Sequence, residues 1–321
     1  MVSVLKKQFP GAEIWMLLRR YTEELGSLSS ELSGVLLADE PGGTKSFLNL
    51  LNEIRSHRFD TVVLAYPRPR LALMMRSAGI PMRVGTGYRW YSTFFNQRIY
   101  EHRKTAEKHE AEYNLGLLRG LGCEIQHLQN PRIVLSASQR EEAMMVRREL
   151  GIQDGERMVI LHPGSGGSAR DWSVENFATL ASSLIKSRFS VVVTGSEAEL
   201  ALAQQIASAG EGIAKNVAGR FSLTQLAAFI STAIVFVSNS TGPLHIAAAV
   251  GTPVVAFYPP ATVMSERRWG PLTEKKIVFV PNPAKCPRCK GGACLGNECM
   301  DQVSAAQVLE AVSVLSKKFT P

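Results

Sequence analysis

Val235-Phe-Val-Ser-Asn-Ser-Thr-Gly-Pro-Leu-His245-Ile-Ala-Ala-Ala-Val-Gly251-Thr-Pro253 carries the fold in one stretch. A short apolar run ends in small polar residues and turns at once into an Ala-rich run. The run up to Ser238 has the length and β-branched content of a buried strand. Gly242 and Pro243 then open a helix, since Pro at the first helical position loses no hydrogen bond. Strand, turn and helix in this order are the unit of an α/β protein with a parallel sheet. The turn also carries chemistry. A helix N-terminus leaves backbone N–H groups unpaired and bears partial positive charge, so it suits a phosphate. Gly242 lets an anion approach the backbone closely. In open α/β sheets ligands sit at the carboxyl ends of the strands, where this turn lies. Ser240, Thr241, Gly242, Pro243 and Leu244 are therefore candidate ligand-binding residues. They also read as a plain capped helix, with Ser240 or Thr241 as N-cap. His245, one turn into the helix, can donate to a pyrophosphate oxygen or a sugar hydroxyl, or be structural.

Working outward, the same alternation fills the second half of the chain. Strands are expected at Met158–His162, Ser190–Thr194, near Asn216–Ala218 and at Pro253–Phe257. Helices are expected at Ser138–Leu150, Val174–Ser187, Glu197–Ala209, Leu223–Ile230 and Ser304–Lys317. After the first of these strands comes His162-Pro-Gly-Ser-Gly-Gly-Ser-Ala-Arg170-Asp-Trp172-Ser173. Such a Gly-rich loop can wrap a phosphate, with Ser165 as a candidate contact and Arg170 as a fixed, forked positive charge. It is not a Walker A loop, because no Gly-Lys-Ser/Thr follows. The plainer reading makes Ser173 an N-cap and Trp172 a hydrophobic staple. After the next strand, Thr194-Gly-Ser-Glu197-Ala-Glu199 places a carboxylate where it can accept both hydroxyls of a ribose. The same acids also favour the first turn of a helix through its dipole.

The first half alternates as well. Apolar runs at Ala12–Leu18, Val35–Ala38, Thr61–Tyr66 and Met82–Gly85 are separated by helical stretches at Lys45–Ser56 and Arg70–Ala78. From Gly87 to Lys108 the pattern breaks into an aromatic and basic stretch holding Tyr88, Arg89, Trp90, Arg98, Arg103 and Lys104. A loop of this length is usually functional, and its chemistry suits an anionic partner. A helix near His109–Leu121 ends at Gly122. Two βα domains are expected, at residues 1–137 and 138–321 with a linker near residues 130–153, and a last helix closes the chain.

Composition narrows the function. The 36 basic and 28 acidic residues give a net charge of +8, which favours phosphates, acidic membrane surfaces or nucleic acid. Nucleic acid is disfavoured, since no helix-turn-helix or RRM signature appears. No apolar run spans a membrane and no signal peptide opens the chain, so the expected place is the cytoplasm, with room for peripheral attachment at the inner membrane face. Of five cysteines, four cluster at Cys286, Cys289, Cys294 and Cys299. Such clustering argues against a secreted disulfide framework. The spacing matches a compact zinc knuckle with Cys in every position, but no nucleic-acid function accompanies it, so a bound zinc stays open.

Together these segments resemble the ADP-heptose:lipopolysaccharide heptosyltransferases. The resemblance is carried by His162-Pro-Gly with Arg170-Asp-Trp and Asn176-Phe, Thr194-Gly-Ser-Glu, Ser238-Asn-Ser-Thr-Gly-Pro-Leu-His-Ile-Ala-Ala-Ala, and Trp269-Gly-Pro271. Leu5-Lys-Lys-Gln-Phe-Pro-Gly-Ala-Glu-Ile adds to it in the first half. It implies a GT-B fold, two Rossmann-like domains facing across a cleft, with donor in the second and acceptor in the first. It implies inverting transfer of a heptose or related sugar from a nucleotide diphosphate sugar, such as ADP-heptose, to the lipopolysaccharide core. That reaction uses no cofactor and no metal. Arg170 and His245 would serve the departing diphosphate, and Glu199, rather than Glu197, the ribose. Arg170 stands where the family usually has Lys, and Ser240 where many members carry Asp.

Family members open with a strand and a Gly-Asp loop whose Asp is the proposed general base. Here Met1 falls inside the helix that follows that loop. The resemblance therefore implies either a true start upstream of Met1 or a divergent or inactive member, and that the chain as written binds nucleotide but transfers sugar poorly or not at all. The rival from another class is a nucleotide-sugar-binding protein without catalysis. Another GT-B enzyme, such as a nucleotide-sugar epimerase, would fit the fold but lacks motif support.

Overall fold

The computed structural model describes residues 1–125, 128–167, 170–210, 212–285 and 299–319. The chain forms two compact units, Met1–Leu128 and Gln129–Pro321.

The first unit runs α1 (Val2–Gln8), β1 (Trp15–Leu18), α2 (Glu23–Ser27), β2 (Gly34–Leu37), a hairpin of β3 (Asp39–Glu40) and β4 (Gly43–Thr44), α3 (Phe47–Ser56), β5 (Thr61–Val63), α4 (Pro69–Ser77), β6 (Met82–Thr86), β7 (Gln97–Ile99) and α5 (Glu110–Gly116). β1 pairs in parallel with β2, and β5, β6 and β7 form a parallel three-stranded sheet. Helix α3 starts at Ser46, whose hydroxyl accepts from the Asn49 N–H. Its buried face, Leu50, Leu51 and Ile54, has helical spacing and packs with Met74 and Met75 of α4. Trp15, Leu17 and Val62 join that cluster, so β1 and β5 lie under the same helices. Val63, the next residue along β5, instead meets Val4 and Leu5 of α1 and Leu115 and Leu118. Successive strand residues thus serve opposite faces, and the unit is layered helix, strands, helix.

The stretch expected as a long loop, Gly87–Lys108, is more structured than its composition suggested. It holds a 3₁₀ turn at Trp90–Phe94 and then β7. Tyr91 and Phe95 are buried with Leu64 and Ala72. The Phe95 ring lies where a Cβ on Gly85 would stand, so that glycine makes the packing possible. Two aromatic residues of this apparent surface loop are core.

The second unit runs α6 (Ala137–Glu149), β8 (Met158–His162), α7 (Val174–Lys186), β9 (Ser190–Val193), α8 (Leu200–Ala209), β10 (Lys215–Asn216), α9 (Leu223–Ile230), β11 (Val235–Asn239), α10 (Gly242–Ala249), β12 (Val254–Phe257), α11 (Glu266–Trp269), β13 (Lys276–Phe279) and α12 (Ala305–Lys318). Its sheet is wholly parallel, in the order β10-β9-β8-β11-β12-β13. Strands β8, β11 and β12 are buried along their whole length, which is why they read as unbroken apolar runs. Phe177, Leu180 and Leu184 of α7, Ala203 and Ile206 of α8, and Val308 and Val312 of α12 cover one face. Ser136, Ser173, Ser222 and Ser304 cap their helices, each accepting from the N–H three residues on.

The dividing point falls at 128/129, ahead of the expected 137/138. Ile133 donates to the Ala249 carbonyl at 3.0 Å and Leu135 is buried, which ties this segment to the second unit. The last helix packs on α7, inside the core of the second unit. The sequence does not announce β7, which is short and largely exposed, or β13, which is short and only partly buried. No helix among the described residues is long and apolar enough to cross a membrane. Cys286, Cys289 and Cys294 lie outside the described residues, and Cys299 is buried beside Met300 and Val303.

Candidate functional site

The second sheet starts at β8 in its middle, fills one side with β9 and β10, then returns to fill the other with β11, β12 and β13. The switch point therefore lies between β8 and β11, and the loops leaving their carboxyl ends diverge to open a crevice there. Those two loops are the Gly-rich segment after His162 and the turn Ser240–Gly242. Both stand out in the sequence.

Beneath the crevice, polar side chains link one strand end to the next. Between β8 and β9, His162 Nδ1 and Thr194 Oγ1 are 2.9 Å apart, both residues buried. Between β8 and β11, the Asn239 amide donates to the Pro163 carbonyl at 2.6 Å and accepts from the Trp172 N–H at 2.9 Å. Between β11 and β12, the Ser240 hydroxyl bonds the Tyr258 phenol, which donates to the Trp269 carbonyl at 2.6 Å. Burial raises the Tyr258 phenol well above its ordinary range, so it stays protonated. Ser240 is thus committed sideways, within the rim.

Thr241 is the N-cap of α10, and its side chain makes no capping bond. Pro243 lies in the first turn and has no N–H to give. The backbone N–H groups of Gly242 and Leu244 head the helix, and no acidic residue occupies its first turn. Gly242 is exposed, and a Cβ placed on it would meet nothing within 4 Å. Leu244 is fully buried, so only its backbone can serve a ligand. His245 follows on the same turn, half-buried.

In the facing loop, Gly166 and Gly167 both take positive φ, 57° and 77°. Two consecutive left-handed residues turn the backbone sharply, which side-chain-bearing residues resist. Trp172 closes the loop as a buried staple. Its ring stacks on Phe257 at 4.5 Å and meets Phe177 edge-on at 4.9 Å, and its indole N–H donates to the Val303 carbonyl at 2.8 Å. The staple fixes the chain two residues after Arg170, so this guanidinium is carried on an anchored stem.

Glu199 lies flat over the start of the loop, and a Cβ on Gly164 would overlap its carboxylate. Burial pushes the Glu199 carboxyl up. Hydrogen bonds from the Ser196 N–H at 2.7 Å and hydroxyl at 2.8 Å, the nearby His162 and the Gly166 N–H outweigh this and hold it below its ordinary value. Glu199 is therefore a carboxylate, already shared with the capping of its own helix. His162 is pushed down by burial to about 4, against the opposing pull of Glu199, so its ring is neutral near neutral pH. Burial raises the carboxyl of Asp171. The Ser165 hydroxyl hydrogen-bonds it, and the charge of Glu199 raises it further. Asp171 Oδ1 is buried with no hydrogen-bond partner among the described residues. Asp171, Asn239 and Tyr258 were not singled out by sequence reading. Among the described residues no cluster of three His, Cys, Asp or Glu is placed to hold a metal.

The first unit has a basic and aromatic rim of its own. Arg20 and Tyr21 follow β1, Tyr66 and Arg68 follow β5, and Tyr88, Arg89 and Trp90 follow β6, all exposed. The Arg68 guanidinium lies over the Tyr66 ring, 4.5 Å from its centre, and bonds its hydroxyl. The basic residues of the stretch up to Lys108 divide into two sets. Arg89, Arg98 and Lys104 are exposed. Arg103 ion-pairs with the largely buried Glu110 and donates to Asn114, and Lys108 pairs with Glu101 at 3.0 Å. Arg103, expected to face a ligand, holds the loop together instead.

Residues 47–298 match the family model described as Glycosyltransferase family 9 (heptosyltransferase). Lipopolysaccharide heptosyltransferase 3 of Escherichia coli K12 is 27% identical over 291 residues, which cover 87% of this chain and 82% of that protein. The solved glycosyl transferase family 9 protein of Veillonella parvula superposes with a TM-score of 0.85 at 21% identity, covering 99% of this chain and 92% of that one. Escherichia coli ADP-heptose lps heptosyltransferase II superposes with a TM-score of 0.79 at 22% identity, covering 99% and 93%. These superpositions bear out the expected fold, two Rossmann-like α/β units of GT-B type.

Proposed function

Because the chain belongs to glycosyltransferase family 9, the heptosyltransferase family, we propose that it transfers a heptose or related sugar, with inversion, from a nucleotide diphosphate sugar to an anionic lipopolysaccharide core. The observation that carries this reading is the pair of facing loops at the switch point of the second sheet. One offers helix N–H groups at an open glycine, and the other an anchored arginine. A diphosphate is the ligand that such a crevice suits. A solved relative, Escherichia coli ADP-heptose lps heptosyltransferase II, is named for ADP-heptose, which supports adenosine as the nucleoside.

Sugar transfer needs the diphosphate to leave carrying new negative charge. The Gly242 and Leu244 N–H groups, the positive end of α10, Arg170 and His245 supply donors where that charge develops, and their preorganisation lowers the barrier. No metal step is required by this set. Glu199, held as a carboxylate, is suited to accept from ribose hydroxyls. Arg20, Arg68, Arg89 and Arg98 of the first unit, among aromatic side chains, favour an acceptor bearing phosphates or carboxylates.

The test is release of nucleoside diphosphate from ADP-heptose in the presence of purified lipopolysaccharide core acceptor, with an NMR reading of the new anomeric centre. The proposal expects acceptor-dependent release and an anomer opposite to that of the donor. Tight ADP binding without release would instead establish a nucleotide-sugar-binding protein.

A further inference from the structure

We infer that Asn239 is a positioning residue that couples the Gly-rich loop to the phosphate-binding turn. The inference rests on the donor-site reading above. Asn239 is the last residue of β11, fully buried, and its backbone leads directly into Ser240 and the turn. Its side chain holds both ends of the loop at once. Pro163, where the loop leaves β8, receives its amide N–H at 2.6 Å, and Trp172, where the loop enters α7, gives its N–H to the amide oxygen at 2.9 Å. These partners are 76 and 67 residues away in sequence.

A carboxamide presents a donor and an acceptor side by side at any ordinary pH. The loop ends offer the complement, one carbonyl and one N–H. Both contacts are buried, so neither loop end has water as a substitute, and losing the amide leaves two backbone groups unsatisfied. Ser165 and Arg170 lie between the two clamped ends. Gly242 lies three residues past the clamp. The geometry therefore makes the two walls of the crevice one rigid body through a single side chain.

Asn239→Asp tests this with a pH signature. An ionised carboxylate has no hydrogen to give the Pro163 carbonyl and sets two oxygens against each other. A protonated carboxyl again offers one donor and one acceptor, and burial raises its pKa so that mild acid suffices. ADP is the probe, titrated by calorimetry into wild type and variant. At about pH 8 the variant is expected to bind ADP about tenfold or more weakly. At about pH 5 the ratio of the two affinities is expected to close toward one. A ratio of one at both pH values, or a deficit unchanged by pH as for a merely structural residue, overturns the inference.

Amide hydrogen exchange separates this from the donor-site reading. If wild type fails to bind ADP, that reading is lost, yet faster exchange at Trp172 in the variant still supports the clamp, and unchanged exchange removes it. If the variant does not fold, wild type alone decides. Slow exchange at the Trp172 N–H that slows further with ADP is the expected result, and fast exchange unaffected by ADP overturns the coupling.

Discussion

Replacing His162 by Asn should flatten the acid side of the stability profile. His162 is buried at the end of β8, with Nδ1 against the Thr194 hydroxyl, and burial lowers it from 6.5 to about 4. Above about pH 6.5 the ring is neutral in folded and unfolded chain alike and contributes nothing to the pH dependence. Between about 6.5 and about 4 the unfolded chain binds a proton that the folded protein refuses, so unfolding gains as the pH falls. Across the window this amounts to about 3 kcal/mol, since each pKa unit corresponds to about 1.4 kcal/mol. Asn keeps a neutral hydrogen-bonding group near the position of Nδ1 and removes the titration. Glu199 and Asp171, which face the same region, remain in both proteins; Glu199 loses the attraction of His162, a smaller cause of its lowered value than its Ser196 hydrogen bonds, which stay. Denaturation midpoints at several pH values should show the wild type losing stability faster than the His162→Asn protein below about pH 6.5, and the His162 ring should show no NMR titration near its ordinary value. Parallel stability profiles, or a ring that titrates near 6.5, would refute the reasoning.

Arg170→Ala should lower turnover by about 10²-fold while changing donor affinity much less, as for a contact that strengthens with the leaving group's charge; steady-state kinetics with a rise in KM alone would make it an ordinary binding residue. Arg68→Glu combined with Arg89→Glu should weaken binding of the anionic acceptor, with the wild-type affinity falling as salt rises; acceptor binding indifferent to salt would count against an electrostatic rim. Arg103→Glu should act differently, lowering thermal stability by about 1–3 kcal/mol because it sets a like charge against Glu110, which is only 9% exposed; a stability equal to wild type would return Arg103 to the acceptor surface.

The second unit was legible because its rules are local. Strands β8, β11 and β12 are continuous apolar runs, and serines mark the starts of α6, α7, α9 and α12. The turn at Gly242 and the loop before Trp172 could be placed on the sheet rim by order alone. What joins them could not. Asn239 meets residues far away in sequence, and nothing in Val-Phe-Val-Ser-Asn distinguishes a clamp from a strand end. Arg147 shows the same limit. It sits on a helix rich in charge, yet it is 5% exposed and donates to the carbonyls of Thr232, Gln153 and Glu156. In the first unit, composition misled. Phe95 and Tyr91 lie among arginines in sequence, but the room above Gly85 and the apolar side of α4 take them into the core.

Calorimetric titration of ADP into the Gly242→Val protein tests the central claim, that the turn heading α10 holds the donor's phosphates. Because a Cβ at this position meets nothing within 4 Å, the substitution should leave the fold and the thermal midpoint close to wild type. The valine methyl groups would then stand where a phosphate must approach the Gly242 and Leu244 N–H groups. The expected result is a folded protein whose ADP affinity has fallen by about 100-fold or more, which is about 3 kcal/mol. A folded Gly242→Val protein that binds ADP as tightly as wild type would contradict the account.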